Sequence, residues 1–429
     1  MTLGVPEGTK DLLPPQAEIA SPEEKWRNTA LWQRVEAVAR DVFRRFGYDE
    51  IRTPIFEYTQ LFHKSSGETT DIVEKEMFTF GDPQEPGGTF SLRPELTPGV
   101  VRALINENLF AKKATWKLWY LGSAFRKERP QKGRLRQFTQ IGVEAVGASD
   151  PLLDAETMIL FADFLGGVGV KAWKLRINSI GCGVCRPVYR EALKTAVRPI
   201  LPSLCENCNR RFERNVFRIL DCKVDAEKTA GLPSALEHAC EACRAHLKGV
   251  EAALRASGVE YRVDPRIVRG LDYYTRTVFE FTSSRLGAQN ALCGGGRYDT
   301  LVRDMGGPDV GSVGFAAGVE RILLAVESEV PPPVPDVFGI AVTEAERAAV
   351  FAAIGRLRKA GLAGDLDYEG RSVKAQMRSA NRSGARYALI VGPEEAARGR
   401  VKLKDMKGGG AEREVSVEEA EGVLRGGSP

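Results

Sequence analysis

The chain has 429 residues, 43% hydrophobic and 28% charged, enough to bury a sizeable core and to form two or three domains. No apolar run approaches the roughly 20 residues that span a membrane, and MTLGVPEGTKDLLPPQ lacks the basic and then apolar pattern of a signal peptide, so we expect a cytoplasmic protein. The net charge is only +4, so any nucleic-acid partner must bind local basic patches.

The chain contains only three histidines, His63, His238 and His246. Histidine acid-base catalysis and a histidine-rich metal centre are therefore not expected. We expect arginines, carboxylates and tyrosines to form the functional groups, which favours chemistry that depends on stabilising charge.

The predicted elements begin with an amphipathic helix over residues 22–46 and a short strand over 48–53 that a proline stops. Strand-like runs recur between residues 77 and 146, and charged and glycine-rich loops separate them. This pattern indicates a mostly antiparallel sheet. A helix over 152–166 and a strand over Trp173–Ile180 follow.

A helical, cysteine-bearing segment over about 182–256 interrupts the sheet as an insertion. Strand patterns return at Tyr261–Val268 and Thr275–Phe281, and the strand and helix of VGFAAGVERILLAV complete a first domain at 1–330. The proline-rich segment 331–336 reads as a linker, since consecutive prolines hold an extended rod.

Residues 337–429 alternate between the two periodicities, which predicts a small α/β domain. The predicted strands are Val337–Val342, Ala363–Leu366, Tyr387–Val391, Val401–Leu403 and Glu412–Val415, and the predicted helices are 344–360, 371–383 and a last one at the C-terminus.

Three segments carry candidate functional groups. VRGLDYYT at 268–275 places an arginine, an acid and two tyrosines beside an alternating strand. FRKERPQKGRLRQF at 125–138 is a basic loop between two strands, and its guanidinium groups match phosphate oxygens. GFAAGVER at 314–321 puts small residues before a helix that carries an arginine. A tight turn, a solvated hairpin and ordinary helix packing explain the same three segments without function.

Taken together, these segments resemble the motifs of the histidyl-tRNA synthetase family of class II aminoacyl-tRNA synthetases. GYDEIRTPIFE is similar to the family's first, dimer-forming motif, FRKERPQKGRLRQFTQIGVE to its second and VGFAAGVERILL to its third. VRGLDYYT is similar to the peptide peculiar to this family. GTKD, RPELT and GGRYD fit as well, although Leu96 stands where the family more often has glycine.

The resemblance implies an α+β catalytic domain with the antiparallel sheet of the class II synthetase fold, a helical insertion, and a C-terminal α/β anticodon-binding domain. It also implies ATP as a substrate with Mg²⁺, L-histidine and its tRNA as partners, and a homodimer. By the same resemblance, Arg126 and Arg269 bind the α-phosphate and are the catalytic residues. Glu128 approaches the adenine, Phe138 stacks on it, and Arg321 binds the γ-phosphate.

The resemblance further implies a histidine-binding set that surrounds the imidazole and the ammonium group with polar acceptors. This set is Glu95, Thr97, Gln140, Glu144, Tyr274 and Tyr298. For the tRNA it implies contacts from the second-motif loop and from a basic helix face of the C-terminal domain. These residues are Gln131, Arg136, Lys374, Arg378 and Arg382, although a merely solvated face is the alternative for the last three.

The cysteines form three C-x-x-C pairs at 182/185, 205/208 and 240/243, with Cys222 between them. Such spacing in a cytosolic chain favours a structural Zn²⁺ site. A helix of roughly 24 Å should separate the first two pairs, so we expect Cys205, Cys208, Cys240 and Cys243 to share the ion. Cys182 and Cys185 with Cys222 form a second possibility, and a chain without metal a third.

Two other functions remain open at this stage. One is a catalytically silent synthetase paralogue that acts as a regulatory subunit, although such paralogues lack the C-terminal domain. The other is an RNA-binding module that uses the same fold without activating histidine.

Overall fold

The computed structural model describes residues 3–17, 19, 21–66, 70, 72–81, 87–130, 133–287, 290–327, 331–408 and 411–426. The chain divides into two compact units, Met1–Val330 and Pro331–Pro429. Across the described ranges, none of the helices has the length and apolar character that crossing a membrane requires.

The elements of the first unit follow in chain order. Its strands are β1 (Asp49–Glu50), β2 (Phe56–Tyr58), β3 (Thr79–Gly81), β4 (Thr89–Leu92), β5 (Trp116–Phe125), β6 (Gln137–Val146), β7 (Lys174–Ser179), β8 (Tyr261–Val263), β9 (Thr275–Thr282), β10 (Ala291–Arg297) and β11 (Ser312–Gly318). Its helices are α1 (Thr29–Arg45), α2 (Thr59–Ser66), α3 (Thr97–Asn106), α4 (Pro151–Val168), α5 (Cys185–Val197), α6 (Glu206–Arg214), α7 (Glu241–Ala256), α8 (Leu301–Asp304) and α9 (Val319–Ala325).

The main sheet has the strand order β1-β5-β6-β11-β10-β9-β7-β8. Its neighbours are antiparallel, except that β1 runs parallel to β5 and β8 parallel to β7. The sheet is therefore mostly antiparallel, as predicted. A separate small sheet has the order β2-β4-β3.

Side-chain alternation gives the main sheet one apolar face and one polar face. Val143 of β6 and Phe315 of β11 pack with Phe161 of α4 in the apolar core. Helix α4 can form there because Asp150 caps its first turn, accepting from the backbone N–H of Leu152, and Pro151 needs no donor at that position. The opposite face of β6 carries the polar residues of the candidate site.

The insertion contains α5, α6 and α7, and its cysteine pairs do not group as predicted. The expected set of Cys205, Cys208, Cys240 and Cys243 is wrong, because Cys240 and Cys243 lie with Cys182 and Cys185. Cys222 joins the remaining pair, so the second predicted set is also not formed.

The path of the chain after α6 explains this error. Helix α5 separates the first two pairs as expected, but the segment before α7 returns along α5. The Tyr189 hydroxyl donates to the carbonyl of Pro233 at 3.0 Å, and its ring stacks on His238. The first turn of α7 therefore reaches the start of α5, a long-range arrangement that helix lengths alone do not reveal.

The second unit is built around the strand order β13-β12-β14-β15-β16. Strand β12 is parallel to β13 and β14, whereas β15 is antiparallel to both of its neighbours. The elements are β12 (Val337–Ala341), α10 (Arg347–Lys359), β13 (Gly364–Leu366), α11 (Val373–Ser383), β14 (Tyr387–Val391), α12 (Pro393–Arg398), β15 (Val401–Asp405), β16 (Glu412–Val415) and α13 (Val417–Leu424).

A buried charge network fixes the end of β10 to α4 and α7. The Arg297 guanidinium is fully buried and donates to Asp154 Oδ1 at 2.5 Å and to Asp299 Oδ1 at 3.0 Å. The second oxygen of Asp154 contacts His246 Nε2 at 2.8 Å. Because Tyr298 follows Arg297 directly, this network also sets the position of a candidate site residue.

Replacing Arg297 with methionine should lower the free energy of unfolding of the first unit by about 3–5 kcal/mol, because the buried Asp154 carboxylate loses its counter-charge. All five tryptophans lie in this unit, so urea unfolding followed by tryptophan fluorescence reports it alone. The matched control Arg303→Met, at a half-exposed surface arginine, should cost less than about 1 kcal/mol. Similar losses in both variants would contradict the role of the network.

Candidate active site

A cleft with a volume of about 310 Å³ lies on the polar face of the main sheet, within the range of small-molecule sites. Every residue predicted to bind ATP or histidine lines it. They are Glu95, Thr97, Arg126, Glu128, Phe138, Gln140, Glu144, Arg269, Tyr274, Tyr298 and Arg321. The structure therefore brings together residues from distant parts of the sequence.

Glu144 lines one end of the cleft and is only 1% exposed. Its carboxylate accepts hydrogen bonds from Thr97 at 2.6 Å, from Tyr120 at 3.2 Å and from the hydroxyl of Tyr298. The space for this group exists because Gly314 lies directly opposite on β11, where a Cβ atom would overlap the carboxylate.

Burial raises the pKa of Glu144 to about 8, because a charged carboxylate is poorly solvated there. The three hydroxyl donors lower the pKa and so offset part of this shift, whereas the nearby Glu95 adds to it. This end of the cleft thus holds an acid whose environment disfavours its charged form.

Further polar groups line the cleft beside Glu144. The Tyr273 hydroxyl donates to Glu95 Oε2 at 3.1 Å, and the Tyr273 and Tyr274 rings lie 4.7 Å apart. The amide oxygen of Gln140 is buried, and no group in the described part of the chain donates to it. An unused buried acceptor in a cleft is suited to a donor from a ligand.

The other end of the cleft is rich in arginine. The Arg126 guanidinium lies 5.3 Å from the centre of the Phe138 ring, and its Nε donates to the Pro94 carbonyl at 2.9 Å. Arg134 contacts the carboxylate of Glu128 at 2.6 Å. Arg321 donates from Nε to the Ala291 carbonyl at 2.8 Å, which holds its stem against the sheet.

Arg269 lies between the two ends, over the glycine-rich strand β10. Its guanidinium occupies the space where a Cβ atom at Gly294 would be, and its centre lies 5.9 Å from that of the Tyr274 ring. Its Nε is buried and has no acceptor among the residues that the structure describes. This donor, like the Gln140 oxygen, is available to a bound molecule.

The insertion holds the loop that carries Arg269 and Tyr274. Arg186, in the first turn of α5, donates to the carbonyl of Tyr274 at 2.9 Å and to that of Asp272 at 3.4 Å. Asn215, after α6, donates to the Asp272 carboxylate at 2.6 Å. The loop is therefore supported by side chains that come from outside the main sheet.

The residues predicted to contact tRNA lie elsewhere. Arg136 is partly exposed and contacts the N-terminal segment through the carbonyl of Glu7 at 3.3 Å. Gln131 lies outside the described residues. The remaining three, Lys374, Arg378 and Arg382, are exposed on α11 of the second unit.

Helix α11 is fixed to its sheet in a way that leaves this basic face outward. Gln376 is buried and exchanges two hydrogen bonds with the backbone of Ala341 on β12, at 3.0 and 2.9 Å. Ala380, one turn later, is also buried. Because buried and basic positions both recur every four residues, they occupy different faces of the helix.

Sequence reasoning missed several groups that shape the cleft. Tyr120 and Tyr273 each hydrogen bond to an acid of the histidine-binding set. Arg93 anchors the neighbouring segments by donating to the carbonyls of Ser123 and Thr53 at 2.7 and 2.8 Å. Glu320 is buried and lines the cleft, and burial raises its pKa to about 7. Two signals were available: the alternation of β5, which turns Tyr120 toward the same face as Gly122, and the position of Tyr273 within VRGLDYYT.

Comparison with known proteins identifies the family of this chain. A sequence model described as histidyl-tRNA synthetase matches residues 8–322, and one described as an anticodon-binding domain matches residues 336–426. The chain belongs to the histidyl-tRNA synthetase family. The predicted family membership is therefore confirmed, and with it the class II enzyme class.

Individual relatives agree over nearly the full length. A histidine–tRNA ligase of Syntrophotalea carbinolica is 44% identical over 96% of this chain and 96% of its own. That of Moorella thermoacetica is 47% identical over 95% of this chain and 94% of its own. The crystal structure of apo histidyl-tRNA synthetase from S. aureus matches with a TM-score of 0.80 and 31% identity, covering 99% of this chain and 100% of that one.

These matches confirm the predicted fold class. A structure described as an ATP phosphoribosyltransferase regulatory subunit/histidyl-tRNA synthetase from Bacillus halodurans also matches, with a TM-score of 0.64 and 21% identity, covering 91% of this chain and 99% of that one. At that identity it supports the fold alone. The family model and the full-length relatives named histidine–tRNA ligase do not favour the regulatory paralogue. The family implies ATP, Mg²⁺, histidine and tRNA for this chain.

Replacing Glu144 with glutamine should make the protein more stable relative to the parent as pH rises. The folded-state pKa lies above the unfolded value of 4.5, so the folded parent binds more protons and loses stability between about pH 4.5 and about 8. The difference in unfolding free energy should grow by up to about 1.4 kcal/mol per pH unit across this window.

Urea unfolding of both proteins at several pH values checks this expectation, and the buried acid Glu320 is present in both and cancels in the difference. A difference that stays constant with pH would show that Glu144 is not held in an environment that disfavours its charge.

Proposed function

We propose that the cleft is the active site for the ATP-dependent ligation of L-histidine to its tRNA. The observation that supports this proposal is the gradient along a single cleft, from the hydroxyl-bonded acid Glu144 at one end to Arg126 and Arg321 at the other. One end suits a polar amino acid, and the other suits a triphosphate.

At the basic end, Arg126 and Arg269 bind the α-phosphate and neutralise the charge that develops on it. Arg321 binds the γ-phosphate, Phe138 stacks on the adenine and Glu128 approaches its edge. Mg²⁺ would shield the phosphate charge, and the carboxylate of Glu320, which lines the cleft, is the kind of oxygen ligand it prefers.

At the other end, the histidine imidazole lies against Glu144, Tyr298 and Tyr274. Glu144 accepts a ring N–H once its present hydroxyl donors shift, and the phenol oxygens complete the contacts. Glu95, Thr97 and Gln140 receive the ammonium group, which supplies the donor that the buried Gln140 oxygen lacks. A site built to hydrogen bond both ring nitrogens rejects apolar side chains of similar size.

The reaction then needs positioning and charge stabilisation more than side-chain chemistry. In the first step a carboxylate oxygen of histidine attacks the α-phosphorus, and pyrophosphate leaves. In the second, a hydroxyl at the tRNA 3′ end attacks the carbonyl carbon, and AMP leaves. Neither step requires a covalent enzyme intermediate, which agrees with the scarcity of histidine in the chain.

The second unit is proposed to bind the anticodon region through Lys374, Arg378 and Arg382. None of the three forms an ion pair within the described residues, whereas Arg371 and Arg386 on the same unit are paired with Asp367 and Asp336. An exposed cation without an ion pair gives up no existing ionic contact when it binds a phosphate. Gln131 and Arg136 are proposed to contact the acceptor end.

We also propose a cytoplasmic homodimer. The predicted dimer-forming motif contributes β2 to the small sheet, where Phe56 and Tyr58 are 52% and 58% exposed. Phe80, also largely exposed, and Phe90 pack against Phe56 at 6.3 and 5.5 Å. An exposed aromatic patch of this kind is typical of a surface that another subunit covers.

Replacing Arg269 with alanine should lower histidine-dependent ATP–pyrophosphate exchange by about 10²–10³-fold, because the α-phosphate loses a preorganised charge. The matched control is Arg262→Ala, an exposed arginine of β8 that should keep the parental rate. Both variants should unfold cooperatively in urea, and the free energy of unfolding of the Arg262 variant should stay within about 0.5 kcal/mol of the parent. Parental exchange by the Arg269 variant would refute the assignment.

Replacing Arg378 with glutamate should weaken tRNA binding. It should also reduce the slope of log Kd against the logarithm of salt concentration by about one. Pyrophosphate exchange, which needs no tRNA, should be unchanged. The control Lys359→Glu changes an exposed cation on α10 of the same unit and should leave tRNA binding nearly as it was. Equal effects of the two reversals would show that general charge, and not the α11 face, attracts the tRNA.

A further inference from the structure

Two of the cysteine pairs form a compact cluster at the base of the insertion. Cys182 Sγ lies 3.8 Å from Cys185 Sγ and 3.8 Å from Cys240 Sγ, and Cys185 Sγ lies 3.7 Å from Cys243 Sγ. All four sulfur atoms lie within 4.8 Å of one another. We call these residues the four-cysteine cluster.

The spacing matches a tetrahedral metal site. Zn–S bonds of about 2.3 Å in a tetrahedron place neighbouring sulfurs about 3.8 Å apart. A disulfide would join only two of the four, at about 2.05 Å, and all four are free thiols in this structure. The backbone N–H of Cys182 also donates to Cys185 Sγ at 3.2 Å.

Helix starts lie at both halves of the cluster. Cys185 begins α5, Cys240 caps α7 and Cys243 lies in its first turn. The positive ends of two helix dipoles therefore point toward the sulfurs. Cys185 and Cys243 are 5% and 1% exposed, so the cluster is largely closed to solvent, as in structural zinc sites.

The second group of cysteines differs in its chemistry. Cys205, Cys208 and Cys222 share it with Asp225, whose carboxylate lies 3.7 Å from Cys222 Sγ and accepts from the backbone N–H of Cys205 at 2.9 Å. Three sulfurs and an oxygen make a less sulfur-rich set, so the two groups are distinguishable by the ligand atoms around a metal.

The four-cysteine cluster is joined to the active-site loop by a short path. Arg186 follows Cys185 directly and binds the carbonyls of Asp272 and Tyr274. On the other side of the first C-x-x-C pair, the backbone of Arg276 donates to the carbonyl of Gly181 and accepts from the N–H of Ile180, both at 2.8 Å. The start of α5 and the residues just before the first C-x-x-C pair therefore hold the two ends of the segment 272–276.

We propose that the four-cysteine cluster binds one Zn²⁺ ion, which locks the starts of α5 and α7 together and thereby holds the histidine-binding loop through Arg186. Binding displaces the thiol protons and gives a site with four sulfur ligands. The ion is structural and takes no part in the reaction. Arg186 is a positioning residue, and this second part of the proposal depends on the proposed role of Tyr274.

The zinc site is tested without any assay of activity. In a Cys205→Ser/Cys222→Ser background, which disables the second group, elemental analysis of the purified full-length protein should find about one zinc per chain. X-ray absorption should show four sulfurs at about 2.3 Å. Adding Cys182→Ser and Cys240→Ser should reduce the zinc content to near zero. A background protein without zinc, or zinc that survives the second pair of substitutions, would overturn the proposal.

The positioning role is tested with Arg186→Met, which leaves every cysteine in place. This variant should keep its zinc and raise KM for histidine in pyrophosphate exchange by about 10-fold, with kcat and KM for ATP changed by less than about 2-fold, an order of magnitude typical of one lost buried hydrogen-bonding group. The control Arg190→Met changes an exposed arginine one turn later on α5 that stacks on Phe217, and should leave KM for histidine unchanged.

Equal KM values for the Arg186 variant and the parent, with zinc present, would overturn the positioning role while leaving the metal site intact. Loss of exchange in the parent protein itself would instead refute the proposed function. The zinc measurement does not depend on that result, so the two failures are distinguishable.

Discussion

The candidate site depends on a carboxylate that is buried without a counter-charge. Within the described part of the cleft, Glu144 is hydrogen bonded by three hydroxyls, of which two belong to tyrosines. A buried cation would bind the carboxylate permanently and leave nothing for a ligand. Neutral donors solvate the acid only in part, so it can still accept the N–H of an imidazole. The glycine opposite on β11, Gly314, is what leaves room for this arrangement.

A second constraint concerns the segment that carries Arg269 and Tyr274, which forms neither a helix nor a strand. The segment between β8 and β9 is held by Arg186 and Asn215 from the insertion and lies over Gly294 of β10. Arg269 and Tyr274 are thus placed by contacts from two directions. The insertion, which looks like an appendage in the sequence, contributes to the geometry of the cleft, and this explains why its base is so densely connected to the start of β9.

The sequence predicted local features well and long-range ones poorly. Strand β14 spans Tyr387–Val391, the bounds that the sequence predicted. The strand predicted over Tyr261–Val268 ends at Val263, because Pro265 cannot donate to a sheet and the chain turns there. The cysteine grouping failed for a different reason. Which pairs meet depends on the path of the segment between α6 and α7, and that path is set by contacts such as Tyr189 with His238.

The site residues were predicted from the resemblance of their motifs to a family. That resemblance does not reveal the contacts that support them. Tyr120 belongs to none of these motifs, and its hydrogen bond to Glu144 follows from the register between β5 and β6.

The strand order of the main sheet also determines when the cleft can form during synthesis. Strand β11 lies between β6 and β10, and Glu144 of β6 pairs with Gly314 of β11. The last strand of this sheet to leave the ribosome is therefore the one that closes the middle of the sheet. Until then β6 exposes an unpaired edge, a state that invites aggregation. Helices α5 and α6 of the insertion share an apolar cluster of their own, whereas α7 packs in the core of the main sheet. A nascent chain therefore completes the cleft only when β11 joins β6 and β10.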